Sequence, residues 1–205
     1  MVSLHAICAG STARTSRSDR VRASARSARP VSPKNDEETT MSATPATPAI
    51  AWNDELLTRQ PQMDATHREF VEHLVQVESA LGQSDTVLLP RYDALVAHTV
   101  EHFAQEDRWM AALGFAPQNC HSMQHTQVLA VLQDVRRQHV DEGKTDLIGR
   151  LLPELMQWFE NHAQAADAGL AGYMEEVGFD TVTGAMARPP VAAETADAGC
   201  GSATC

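Results

Sequence analysis

Four stretches of the chain place apolar residues three or four positions apart, the spacing of one face of an α-helix. In the first, residues 63–82, His67 is followed at that spacing by Phe70, Val71, Leu74, Val77 and Leu81, and Gly82 supplies a stop. The second is expected to open at Pro90 and sets Leu95, Thr99, His102, Glu106, Met110 and Leu113 on one stripe before Gly114. Asn119 is placed to cap the third, whose inner face carries His121, His125, Val128, Leu132 and Val135. The fourth carries Leu155, Phe159, His162, Leu170 and Met174 and stops near Gly178. Pro153 interrupts any helix begun at Thr145, so a kink or a fresh start is expected there. Four amphipathic helices with modest loops predict an all-α fold, an antiparallel up-down four-helix bundle.

The periodicity fails at both ends. Residues 1–40 are rich in Arg, Ser and Ala, and residues 41–49 are a Pro/Ala/Thr linker. Residues 1–49 are therefore expected to be a disordered basic extension, with a composition like that of a transit peptide and with Met41 as a candidate start. Residues 50–188 form the domain, and residues 189–205 a flexible tail carrying Cys200 and Cys205.

Charge narrows the partners. Residues 50–188 hold nine basic and twenty-one acidic side chains, which argues against a nucleic-acid partner because phosphate contacts need a basic face. No stretch approaches the roughly 18 apolar residues of a membrane span. Of the four cysteines, Cys8, Cys200 and Cys205 lie in the tails and Cys120 stands alone beside His121, which points to a reducing, cytoplasmic setting.

The chemistry lies in where the histidines fall. Each predicted helix puts at least one on its apolar stripe, where an unpaired imidazole is costly to bury. His102 with Glu106, and His121 with His125, are i, i+4 pairs; four residues turn an α-helix by only about 40°, so both members of a pair reach the same side. That geometry suits two ligands of one metal, or one ligand and one bridge to a second. His162 and Asp167 are five residues apart and diverge by about 140° on an ideal helix, so spacing alone does not pair them. His73, His98 and His139 are read as surface residues or as supports behind the ligands, with His98, one turn before His102, the rival ligand.

The blocks HTVEHFAQEDRWM, GFAPQNCHSMQH and WFENHAQAAD, with the upstream WNDELLTRQPQMDATHREF, resemble the successive motif blocks of the hemerythrin family, and of the bacteriohemerythrins in particular, across residues 51–178. The resemblance implies a pair of irons. His121, His125 and His162 would bind one, His67 and His102 the other, and Glu106, Asp167 and an oxo or hydroxo group would bridge them. The iron with two histidines would keep an open position for dioxygen. The five imidazoles make this a nitrogen-rich set, unlike carboxylate-rich di-iron sites built on Glu-x-x-His, a motif this sequence lacks. Zinc prefers four ligands in a closed tetrahedral site.

The implied function is reversible dioxygen binding for storage, transport or delivery, by a monomeric protein that is not an enzyme and whose protein partners are unidentified. Two alternatives stand beside it: a sensor or scavenger of oxygen, nitric oxide or iron, for which only the tails could serve as output, and a di-iron oxidase, for which no proton donor is evident. The sequence departs from the family pattern at Thr66, Asp107, Ala163 and Ala166. None of these removes a ligand, and the two alanines are expected to leave the pocket roomier.

Overall fold

The computed structural model describes residues 50–189; the expectations for residues 1–49 and for the Cys200/Cys205 tail lie outside them. A 3-10 turn at Asp54–Leu56 leads into helices α1 (Pro61–Ala80), α2 (Asp85–Ala112), α3 (Cys120–Glu142) and α4 (Leu147–His162). A π-helical turn, Ala163–Asp167, joins α4 without a break to α5 (Ala168–Val177), so α4, the turn and α5 make one rod. Neighbouring rods pack in sequence, and α4 closes back on α1. The result is an antiparallel four-helix bundle with no strand among the described residues, where one isolated bridge joins Phe179 to Met186.

Local chemistry sets the ends. The Gln60 side chain accepts from the Met63 N–H, and Pro61, needing no such partner, takes the first helical position. Asn119 caps α3 as expected, in a reciprocal capping box with Ser122. Gly143 and Gly178 close α3 and α5 in the left-handed region, at φ 67° and 61°.

Both prolines lie inside helices. α2 opens five residues before Pro90, at Asp85 behind Ser84, and α4 runs through Pro153 with no fresh start. A proline inside a helix costs about 3 kcal/mol. Around Pro153, however, Leu151, Leu152 and Leu155 are buried, each gaining roughly 1.5–3 kcal/mol. Burial wins over the missing hydrogen bond. Leu88, Tyr92 and Leu95 do the same around Pro90, and the Tyr92 hydroxyl donates to the Leu132 carbonyl at 2.9 Å. Leu81, expected on the inner stripe of α1, is the C-cap and is exposed.

Two apolar clusters fill the bundle. The larger contains Phe70, Leu74, Leu95, Phe103, Leu132, Leu151 and Phe159, and the smaller Met63, Trp109, Met110, Leu170 and Met174. On three of the rods the chain passes from one cluster to the other across His67, across His102 and Glu106, and across His162 and Asp167. The polar residues thus form a layer between two apolar blocks. The segment after α5 closes the smaller cluster: Phe179 and Met186 pack on it, and the Trp109 indole donates to the Thr181 carbonyl at 3.3 Å.

Two further expectations are corrected. Cys120 does not stand alone but is disulfide-bonded. His139 is buried, far along α3 from His121 and His125, with its Nε2 2.9 Å from Asp85 at the start of α2. Among the described residues no helix is long and apolar enough to cross a membrane.

Candidate metal centre

All seven residues expected to hold metal come together, and each is buried. Glu106 and Asp167 stand at the middle, each dividing its two oxygens. Glu106 Oε1 lies 3.0 Å from His102 Nε2 and 3.9 Å from His67 Nε2, while Oε2 lies 3.3 Å from His121 Nε2 and 3.2 Å from His125 Nε2. Asp167 Oδ2 is 3.2 Å from His67 Nε2, and Oδ1 is 3.0 Å and 3.2 Å from the Nε2 atoms of His121 and His162. The five imidazoles therefore fall into a pair, His67 and His102, and a trio, His121, His125 and His162, with both carboxylates shared.

The π turn is what brings Asp167 into this set. One extra residue is taken up between His162 and Asp167, so two positions that would diverge on an α-helix share a face.

Several of these atoms are close without being hydrogen-bonded. His67 Nε2, His121 Nε2, Glu106 Oε2 and both Asp167 oxygens are buried with no hydrogen bond of acceptable geometry. These atoms converge on shared space rather than along donor–acceptor lines. Unsatisfied buried polar atoms in this number carry a heavy penalty unless a cation meets them. A nitrogen- and carboxylate-rich donor set of this kind fits metal ions, and the two groups, one of His67, His102 and Glu106 and the other of Glu106, His121, His125, His162 and Asp167, are each tight enough to do so.

Electrostatics in the metal-free chain follow from the same contacts. Burial pushes the His67 and His121 imidazoles toward neutrality, but the adjoining Asp167 and Glu106 carboxylates outweigh it and raise each pKa to about 10. Burial likewise works against the Glu106 carboxylate, yet the surrounding histidines hold it well below the usual range. Asp167 is held low too, against burial and the Glu106 charge, by His162 and His121. For His162 burial is the largest cause and, with the neighbouring His121 and His125, outweighs Asp167 and lowers the pKa.

Supporting residues fix the rings from behind. His67 Nδ1 donates to the Leu56 carbonyl at 3.4 Å, His125 Nδ1 to Asp107 Oδ1 at 3.2 Å, and His162 Nδ1 to Gln124 Oε1 at 3.0 Å. Each such bond leaves Nε2 free to face inward. Phe103 stacks on His125 with ring centres 4.0 Å apart, Trp158 stacks on His162 at 4.5 Å, and Phe159 meets His67 edge-on at 5.0 Å. Leu56, Gln124 and the supporting role of Asp107 escaped the sequence reading. A carboxylate one residue after Glu106 was the one signal for any of them. His98 is not in either group: its Nε2 lies 3.2 Å from the Thr66 carbonyl, next to His67. Ala163 is buried in the larger core cluster, whereas Ala166 is only half-buried.

Replacing Asp107 with Ala is expected to weaken metal binding about 10- to 100-fold by freeing the His125 ring. The Asp107 side chain is 47% exposed, so the fold should keep its stability. Competition against a chelator measures the first effect and thermal melting of the metal-free chain the second.

The sequence itself matches the family described as the hemerythrin HHE cation-binding domain over residues 59–173. The chain belongs to the hemerythrin family. Among its relatives, a bacteriohemerythrin of Ralstonia nicotianae is 36% identical over 131 residues, 64% of this chain and 93% of that protein. A bacteriohemerythrin of Pseudomonas aeruginosa is 26% identical over 121 residues, 58% of this chain and 78% of that one.

Proposed function

We propose that the chain binds dioxygen reversibly at a non-haem pair of irons, for storage, transport or delivery. The observation that carries this reading is the unequal division of five imidazoles about two shared carboxylates. His121, His125 and His162 would hold one iron, His67 and His102 the other, and Glu106 and Asp167 would bridge them. When bound, the iron pair supplies a position for dioxygen on the histidine-poorer side and the two electrons that the ligand takes up.

The rest is work for the protein. The bridging carboxylates offset the charge of two cations in a layer closed off from water by apolar clusters on both sides. Phe159 and Phe70 wall the two-histidine half, with ring centres 5.0 Å from His67 and 6.2 Å from His102 respectively, and so exclude the water that would displace the ligand.

The test is metal analysis followed by gas cycling. Purified protein should hold about two irons per chain, in line with its two donor groups. Anaerobically reduced protein should gain a visible band under oxygen and lose it under argon, over repeated cycles. Stoichiometric zinc in place of iron would overturn the metal assignment. Full oxidation on a single exposure, with release of reduced oxygen, would make the protein an oxidase instead.

A further inference from the structure

A second cluster of metal-binding side chains lies just outside the centre, at the seam of α1 and α2. Glu69 and His73 stand one turn apart on α1 and reach the same side. His98 faces them from α2, its ring centre 5.0 Å from that of His73 and its Nδ1 3.7 Å from Glu69 Oε2. The His98 tautomer is set by its other nitrogen. Thr66 offers Nε2 only a carbonyl oxygen, at 3.2 Å, so Nε2 carries the hydrogen. In the neutral ring Nδ1 then presents a lone pair to a carboxylate, and two acceptors face each other with a gap between them. His73 Nδ1 is buried with no hydrogen-bond partner. The three side chains thus adjoin at one seam; their donor atoms are not yet all within ligand distance of one another, and an ion would draw them together.

We propose that Glu69, His73 and His98 form a third, labile site for a single divalent transition-metal ion. Two imidazoles and one carboxylate are a donor set that takes zinc or ferrous iron and leaves positions for water. Glu69 is 64% exposed, so its carboxylate closes on an ion by rotating its own side chain, and the ion arrives from solvent. On the inner side the His98 ring lies 6.0 Å from that of His102. An ion held here sits at the threshold of the two-histidine half, which suits capture before loading. None of the three residues belongs to the seven of the inner centre, so the site stands whether or not the di-iron reading does.

The experiment uses the full chain, loaded with iron, titrated with zinc and followed by calorimetry, with iron measured in the same samples. One further equivalent of zinc should bind without displacing iron. His73→Ala and Glu69→Gln should each lose that equivalent while keeping their iron content and visible spectrum. Zinc taken by cysteines elsewhere in the chain is common to all three proteins and drops out of the comparison. If a proton alone bridges His98 and Glu69, no extra zinc binds, and the proposal is overturned. Zinc uptake unchanged in both variants overturns it equally. Low iron in the wild type would count against the inner di-iron assignment alone, because dependence of zinc on His73 and Glu69 reads the outer site separately.

Discussion

Glu106→Ala is expected to empty the inner centre and destabilise the fold by about 3–5 kcal/mol, the usual effect of removing one partner from a buried charged cluster. Four histidines from three helices point their Nε2 atoms at this one carboxylate, at 3.0 to 3.9 Å. Without it they lose both the shared bridge and the charge that offsets a pair of cations. In a domain of this size such a loss lowers the melting temperature by roughly 10 °C. Glu106→Gln separates charge from volume. It fills the same space but replaces one of the two bridging oxygens with an amide nitrogen that cannot bind metal and removes the charge, so it should lose much of the metal while melting higher than the alanine variant. Metal analysis and calorimetry of the two proteins decide this. A Glu106→Ala protein that kept its metal and its melting temperature would remove Glu106 from the centre.

The parts of this arrangement that sequence makes legible are those written in helical period. The stripes of α1, α2 and α3 run through the histidines, and nearly every residue on them is buried. What escapes is whatever depends on contacts between rods. Pro90 and Pro153 read as boundaries because local propensity opposes them, whereas burial of their leucine neighbours decides the outcome. The His162–Asp167 pair is invisible to an ideal helical wheel, since it exists only through the π turn, and family resemblance supplied it. Gln124 and Leu56 act through one side-chain amide and one carbonyl, and a hydrogen bond of that kind leaves no pattern along the chain. Cys120 shows the same limit, because its bonded state does not follow from its spacing.

Metal removal is expected to invert the pH dependence of stability. In the metal-free chain the two carboxylates are offset by protons on His67 and His121, whose folded pKa values stand at about 10. A histidine raised in the folded state stabilises fully below its unfolded value, roughly 6.5. That contribution is lost as pH climbs through 10. Glu106 and Asp167, depressed in the folded state, contribute above roughly pH 4 and lose that contribution as pH falls through their low folded values. The metal-free protein should therefore be most stable between about pH 5 and 6.5, and weaken steadily above. Bound metal needs the same imidazoles neutral, so the loaded protein gains as pH rises over that range. The gap in melting temperature between the two forms should widen from pH 6 to pH 9, and loading at pH 7 should release about two protons per chain. Melting curves across that range, with proton release taken from calorimetry in two buffers of different ionisation enthalpy, test both statements. Parallel pH profiles for the two forms, with no protons released, would show that His67 and His121 do not exchange a proton for a metal.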